Sequence, residues 1–99
     1  MYVRVSHSTF DPAKRTEVDA VTEEAGEVLA GLPGFVRYVG AADDGSGMGV
    51  VISFWESEEA AGFDRAAFGD VMSRLAASGL ALQPPQVFKV DVDRSSSAS

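Results

Sequence analysis

The stretch ISFWESEEAAGFDRAAF, Ile52 to Phe68, joins an apolar segment to an acidic, alanine-rich one and contains the only tryptophan, Trp55. The β-branched and aromatic residues up to Trp55 favour a strand. Ser57 is suited to cap a helix N-terminus, and the carboxylates beside it complement the positive end of the helix dipole. Glycines inside the apolar stripe of that helix predict a break near Arg65 to Gly69. The stretch therefore predicts a strand that ends at a tryptophan and leads into an interrupted helix.

A strand and a helix precede this stretch. YVRVSHSTF, Tyr2 to Phe10, is rich in β-branched and aromatic residues and predicts a strand. Alternation places Val3, Val5, His7 and Thr9 on one face of it, and Tyr2, Arg4, Ser6, Ser8 and Phe10 on the other. Asp11 is suited to cap a helix and Pro12 to occupy its first position. Apolar residues at spacings of three and four over residues 18–32 give that helix one apolar face.

A hairpin and a last strand complete the pattern. FVRYVGAA and GMGVVISFW flank the loop DDGSG, and QVFKVDV, Gln86 to Val92, predicts the last strand. A phosphate-binding loop would need a strand before it and a helix after it, so DDGSG is interpreted as a plain hairpin turn. The order of elements predicts an α+β, ferredoxin-like βαββαβ sandwich, with two helices on one face of a four-stranded antiparallel sheet.

Composition limits the functions open to this chain. Its 99 residues suit a single domain, which we place at residues 1–93, with a disordered tail at 94–99. The formal net charge of −7 would repel nucleic acid and anionic membranes. The absence of cysteine excludes thiol chemistry, and a single histidine leaves no strong spacing for a metal site. We expect a cytoplasmic protein, because the N-terminus lacks the features of a signal peptide.

The strand that ends at Trp55 carries apolar residues on both faces. Val50, Ile52 and Phe54 alternate with Val51, Ser53 and Trp55. A sheet with one face in water should instead alternate apolar and polar residues. Since the chain has no further elements to cover a second face, we expect two copies to pack sheet to sheet as a two-fold homodimer.

Three stretches, LPGFVRYVG, SFWESEEAAGF and PPQVFKVDV, carry a family resemblance. Over residues 2–92 the chain resembles the antibiotic biosynthesis monooxygenase-like (ABM) domain of the dimeric α/β-barrel superfamily. In that family a strand ending in Trp is followed within two residues by Ser and an acidic helix start. The resemblance implies a ligand pocket between helices and sheet in each subunit. The activities it implies include cofactor-independent oxidation of aromatic polyketides, quinol oxidation and haem degradation.

Family site residues can be matched to this chain one at a time. The polyketide oxygenases use an Asn before the strand Trp, together with a Tyr and an Arg on the second helix. Trp55 is retained here and Arg74 lies close to the Arg position, but Val51 and Ala61 replace the Asn and Tyr. The haem-degrading members place a His on the second helix, and the helix of this chain has none. The resemblance therefore favours oxygenase activity over haem degradation.

Five residues are candidates for the site: His7 and Trp55 as catalytic residues, and Tyr38, Phe63 and Arg74 as substrate-binding residues. Imidazole titrates near neutral pH, so His7 suits a general base, although a structural place or one at the dimer interface is the alternative. Trp55 offers a stacking face and an N–H donor, or it closes the core. Arg74 lies outside the apolar stripe of its helix, where a solvated arginine is the alternative.

These observations lead to two hypotheses from different classes. The first is a cofactor-independent monooxygenase acting on a small aromatic, polyketide-like or quinol-like metabolite, with neither metal nor cofactor. The second is a non-catalytic, dimeric small-molecule-binding or stress-associated protein that keeps the fold without the active residues. Haem binding or degradation ranks third. Under each hypothesis we expect the partners to be a small apolar or aromatic molecule and a second copy of the chain.

Overall fold

The computed structural model describes residues 1–95, and it contains the predicted alternation of strands and helices. The strands are β1 (Tyr2–Thr9), β2 (Phe35–Asp43), β3 (Met48–Trp55), β4 (Ala81–Leu82) and β5 (Gln86–Lys89). The helices are α1 (Arg15–Ala30), α2 (Glu58–Ala61) and α3 (Val71–Ala77), with 3₁₀ turns at Pro12–Lys14 and Arg65–Phe68. Residues 94 and 95 have no regular structure, and the remainder of the predicted tail lies outside the described residues.

Side-chain caps fix where the helical segments begin. Asp11 caps the first 3₁₀ turn through its Oδ1, as the sequence predicts. Ser57 Oγ accepts a hydrogen bond from the backbone N–H of Ala60 at 3.1 Å, which confirms Ser57 as the cap of α2. The predicted interruption is also confirmed, because the helix stops at Gly62 and resumes only after Gly69. None of the helices in the described part of the chain combines the length and apolarity needed to cross a membrane.

The strands form one antiparallel sheet in the order β2-β3-β1, and both β4 and β5 pair with the other edge of β1. The ferredoxin-like α+β fold is therefore confirmed, but the sheet has five strands rather than four. The reason is that Pro84 and Pro85 have no N–H to donate, so the edge of the sheet is split into two short strands. The last strand also ends at Lys89 rather than at Val92.

The register of β1 against β3 decides which side chains share a face. Val3 pairs with Phe54, Val5 with Ile52 and His7 with Val50. These side chains form the open face, the side of the sheet turned away from the helices. The intervening residues, among them Arg4, Ser6 and Ser8 of β1 and Val51, Ser53 and Trp55 of β3, face the helices. The hydrophobic core and any cavity therefore lie on the Arg4 side of β1.

Trp55 is the anchor of the core beneath the helices. It is 0% exposed and is the largest fully buried side chain among the described residues. The ring of Phe35 meets it edge-on at 5.6 Å between centroids, and the ring of Phe63 lies at 5.1 Å. Its indole N–H donates to the buried hydroxyl of Ser53 at 2.8 Å. The geometry thus matches the packing alternative for Trp55, with the one polar atom of its side chain already satisfied.

Removing the Ser53 hydroxyl should destabilise the fold through Trp55. Ser53→Ala leaves a buried indole N–H without an acceptor, which costs about 1–3 kcal/mol in the free energy of unfolding. In a Trp55→Phe background there is no N–H to leave unpaired, so the same substitution should change stability by less than about 0.5 kcal/mol. Urea denaturation followed by circular dichroism measures both values.

Ser73→Ala is the matched control, because Ser73 is exposed on α3. We expect it to alter stability by less than about 0.5 kcal/mol. Equal costs for Ser53→Ala in the wild-type and Trp55→Phe proteins would contradict the assignment of the hydrogen bond as the stabilising contact.

Candidate active site

A cavity of about 50 Å³ lies between the sheet and the helices. Its walls come from every layer of the fold: Arg4, Ser6, Thr22, Ala25, Leu29, Tyr38, Val51, Ser53, Phe63, Arg65, Phe68, Met72, Leu75, Leu80 and Leu82. A buried water occupies about 10–15 Å³ in such a measure, whereas pockets for drug-sized ligands run to about 300 Å³ or more. The cavity therefore has room for a few waters, and an aromatic ligand would have to displace part of its lining.

Tyr38 closes the cavity on the side of β2. Its hydroxyl donates to the backbone carbonyl of Thr22 at 2.9 Å, and burial raises the pKa of Tyr38 to about 12. A Cβ at position 26 of α1 would lie 2.8 Å from Cδ2 of the tyrosine ring, so Gly26 is what lets the ring lie against the helix. At neutral pH Tyr38 is a neutral phenol whose proton is engaged, and its oxygen remains able to accept a hydrogen bond.

Arg4 brings a positive charge to the cavity from β1. Its Nη1 donates to the backbone carbonyls of Ala61 at 3.0 Å and Phe63 at 3.1 Å, and its guanidinium lies 3.9 Å from the centroid of the Phe63 ring. Burial lowers the pKa of Arg4, and the positive charge of Arg65 lowers it further. Arginine nevertheless stays charged in proteins. Two cationic groups therefore share one largely apolar cavity.

Phe63 connects the cavity to the core. Its ring contacts both the Arg4 guanidinium and the buried Trp55, and it meets Phe68 edge-on at 5.6 Å. Trp55 itself is not among the lining residues. The tryptophan therefore contacts the cavity through lining residues, among them Phe63 and Ser53.

The structure brings together some of the candidate residues and separates others. Tyr38 and Phe63 line the cavity, and Trp55 packs behind Phe63. His7 is exposed on the open face, because strand alternation places it with Val5 and the helices cover the opposite side. Its catalytic role stays a prediction, and the cavity itself gives it no support.

Arg74 also lies away from the cavity. Both of its terminal nitrogens are engaged with the carboxylate of Glu24, at 2.6 and 2.8 Å, in an exposed pair between α3 and α1. The geometry thus matches the alternative of a solvated helical arginine. Its substrate-binding role is untested, and the cavity lining does not include it.

Sequence reasoning missed the two arginines that do line the cavity. Arg4 could have been found from the sequence, because strand alternation places it on the same face of β1 as Tyr2 and Phe10. The helices cover that face, so a charged residue on it is a candidate for the site. Arg65 lies in the predicted helix break, where no helical or strand periodicity indicates which way its side chain points. Within residues 1–95, no group of three or more His, Asp or Glu side chains is arranged to hold a metal ion.

Comparison with known proteins gives a consistent result. A family profile described as "Antibiotic biosynthesis monooxygenase" matches residues 1–77. No curated protein sequence matches. Among solved structures, SnoaB, a cofactor-independent oxygenase from Streptomyces nogalater, superposes with a TM-score of 0.74 at 22% identity, covering 93% of this chain and 94% of that one.

Two further structures have the same fold. A putative antibiotic biosynthesis monooxygenase from Deinococcus radiodurans has a TM-score of 0.75 at 9% identity, covering 96% of this chain and 97% of that one. A variant of MhuD with two manganese protoporphyrin IX molecules bound per active site has a TM-score of 0.70 at 19% identity, covering 97% and 100%. At these identities the structures support a common fold and leave the substrate open.

The burial of Tyr38 predicts a late titration. In Tyr2→Phe the only remaining tyrosine is Tyr38, so the phenolate absorbance should rise with a midpoint of about 12. The pKa of Tyr38 is higher in the folded state than in the unfolded state. The stabilisation that comes from keeping this phenol protonated is therefore complete below about pH 10 and is lost as the pH rises toward the folded pKa. Between these two pKa values the free energy of unfolding should fall by about 1.4 kcal/mol per pH unit.

Circular dichroism at each pH separates titration of the folded protein from unfolding. Tyr38→Phe in the same titration identifies the signal that belongs to Tyr38. A midpoint near 10 in folded Tyr2→Phe would contradict the buried environment of this phenol.

Proposed function

Because the chain belongs to the antibiotic biosynthesis monooxygenase family, we propose that it is a cofactor-independent monooxygenase acting on a small aromatic metabolite of the anthrone or hydroquinone type. The cavity carries this proposal. It combines apolar and aromatic walls, suited to a flat ring, with the two cations Arg4 and Arg65. The similarity of the fold to SnoaB is consistent with this chemistry.

The reaction needs no external reductant, because the substrate supplies the electrons. A ring CH₂ group of an anthrone loses a proton to water, and the resulting anion passes one electron to O₂. Combination of the two radicals forms a peroxide anion at that carbon, which takes back a proton from water. Loss of water from the resulting hydroperoxide leaves a carbonyl group. One oxygen atom enters the product and the other leaves as water.

Arg4 and Arg65 suit the charge that this route creates. Negative charge develops first on the substrate oxygen and then on the reduced oxygen. A cation held beside an apolar site, as Arg4 is by its hydrogen bonds, stabilises this charge more strongly than water does, and the exposed Arg65 adds a second positive charge at the cavity. The described lining residues include no carboxylate and no histidine. Lowering the energy of the anion, with water as the proton acceptor, is therefore the contribution that these side chains can make.

Oxygen uptake by the metal-free protein tests the proposal. With a panel of anthrones and hydroquinones, we expect uptake that requires the folded protein and falls about tenfold or more in Arg65→Gln, because one stabilising cation is lost. Arg94→Gln removes the same charge from an exposed site outside the cavity lining and should keep the wild-type rate.

The other outcomes discriminate between the hypotheses. Tight binding of the aromatic compounds without oxygen uptake would favour the non-catalytic binding protein. Loss of uptake in folded His7→Ala would favour the predicted His7 base and would move the site toward the open face. Uptake that is unchanged in Arg65→Gln would contradict the stabilisation of the substrate anion by the two cations.

Haem chemistry is a poor fit to the cavity. The only histidine lies exposed on the open face, and the phenol at the cavity is neutral at physiological pH. Neither side chain is in place to bind a haem iron at the cavity. The proposed reaction therefore includes no step through haem.

We further propose that the open face packs against a second copy of the chain. Val3, Val5, Ile52 and Phe54 line this face, and Phe88, paired with Val3, is 51% exposed. An apolar sheet face of this kind is characteristic of an interface. The helices already cover the opposite face, so a second sheet is the simplest cover for this one.

Charge placed on this face should dissociate the proposed dimer. We expect Phe88→Arg to shift the sedimentation equilibrium from twice the monomer mass to the monomer mass, because two like charges would be buried together. Ala77→Arg puts the same charge on the exposed side of α3 and should leave the mass unchanged. A monomeric wild-type protein, or a Phe88→Arg dimer of unaltered affinity, would contradict this interface.

A further inference from the structure

Arg4 and Arg65 differ from Arg15 and Arg74, because they form no ion pair within the described residues. Arg15 pairs with Asp19 and Asp44, and Arg74 pairs with Glu24. Within residues 1–95, no carboxylate lies within 4.0 Å of the Arg4 or Arg65 guanidinium. The two cations that meet at the cavity are therefore not neutralised by the protein.

This lack of neutralisation runs against the charge of the whole chain. Fifteen acidic residues stand against eight basic ones, so carboxylates are plentiful. This cost falls on Arg4, because its half-buried guanidinium loses hydration and gains no ion pair in return, whereas Arg65 is exposed. A ligand that supplies the anion would give Arg4 the missing ion pair.

The geometry of Arg4 leaves part of its guanidinium available. Both of its hydrogen bonds to the protein use Nη1, and they fix the group beside the Phe63 ring. The hydrogen bonds of the described residues do not involve Nε or Nη2 of Arg4. A planar carboxylate is the anion that matches two such parallel donors.

We propose that this cavity selects an aromatic ligand that bears a carboxylate, with the carboxylate on Arg4 and Arg65 and the ring among Phe63, Phe68 and Met72. The inference rests on the proposed function only in placing substrate in the same cavity. It narrows the substrate from aromatic metabolites in general to aromatic acids.

Entry of such a ring requires the lining to rearrange. The cavity is about 50 Å³, and Phe63, Arg65 and Phe68 all belong to the segment between α2 and α3. That segment is bounded by Gly62 and Gly69, and it contains only a short 3₁₀ turn. Movement of this segment would enlarge the cavity without breaking any strand pairing.

Calorimetric titration with a matched pair of probes tests the inference. At pH 7, 2-naphthoate is an anion and 2-naphthol is neutral, while their rings are the same. We expect the protein to bind 2-naphthoate about tenfold or more tightly than 2-naphthol, because charge-assisted hydrogen bonds form only with the carboxylate. The net charge of −7 would by itself favour the neutral probe, so such a preference has to arise locally.

The arginine variants assign that preference to the site. Arg65→Gln should reduce the preference to about twofold or less while binding of 2-naphthol is kept, and Arg4→Gln should do the same. Arg94→Gln, with the same change in net charge at an exposed position, should keep the full preference. Arg65 makes no side-chain hydrogen bond or ion pair within the described residues, so Arg65→Gln decides the matter if loss of the Arg4 contacts unfolds that variant.

Equal affinity for the two probes, or a preference that survives Arg65→Gln, would overturn the inference. Neither result depends on catalysis. Binding of aromatic acids without oxygen uptake would support this inference and contradict the proposed function. Oxygen uptake with neutral anthrones at the rate seen with their carboxylated analogues would support the proposed function and contradict this inference.

Discussion

The burial of Trp55 at the end of β3 is the constraint on which the rest of the structure depends. An indole of this size can be fully buried only where its N–H has a partner, and Ser53 on the same strand face supplies it at 2.8 Å. The pair fixes which face of β3 turns inward. Phe35 and Phe63 then pack on the ring, so the end of the sheet and the segment after α2 are held together.

Because Trp55 faces inward, strand alternation determines which side chains of β1 line the cavity. Since Trp55 and Ser53 point toward the helices, their partners in β1, Tyr2 and Arg4, point the same way. His7 must then point outward with Val50. The inward packing of Trp55 thus places Arg4 at the cavity and His7 on the open face.

Much of the fold could be predicted because its signals are local. The Ser57 cap, the glycine-bounded break and the hairpin are each encoded within a few residues, and each is present. The split between β4 and β5 depends on pairing with the distant β1, which no local pattern reveals. The site residues were harder to predict for the same reason. Alternation divides the residues of β1 between two faces, but only long-range packing determines which face the helices cover.

The same packing explains why a charged cavity can persist in a small fold. Arg4 donates to the carbonyl of Ala61, the last residue of α2, and to that of Phe63 just beyond it, and its guanidinium lies over the Phe63 ring. It therefore contributes to holding this segment on the sheet even without a ligand. The unneutralised charge is costly, yet its removal would also free the segment that closes the cavity. Stability and ligand binding are therefore joined in one side chain. An anion that engages the free edge of Arg4 would stabilise the charge without requiring the contacts of Nη1 to break, so anion binding and the position of this segment on the sheet are coupled through Arg4.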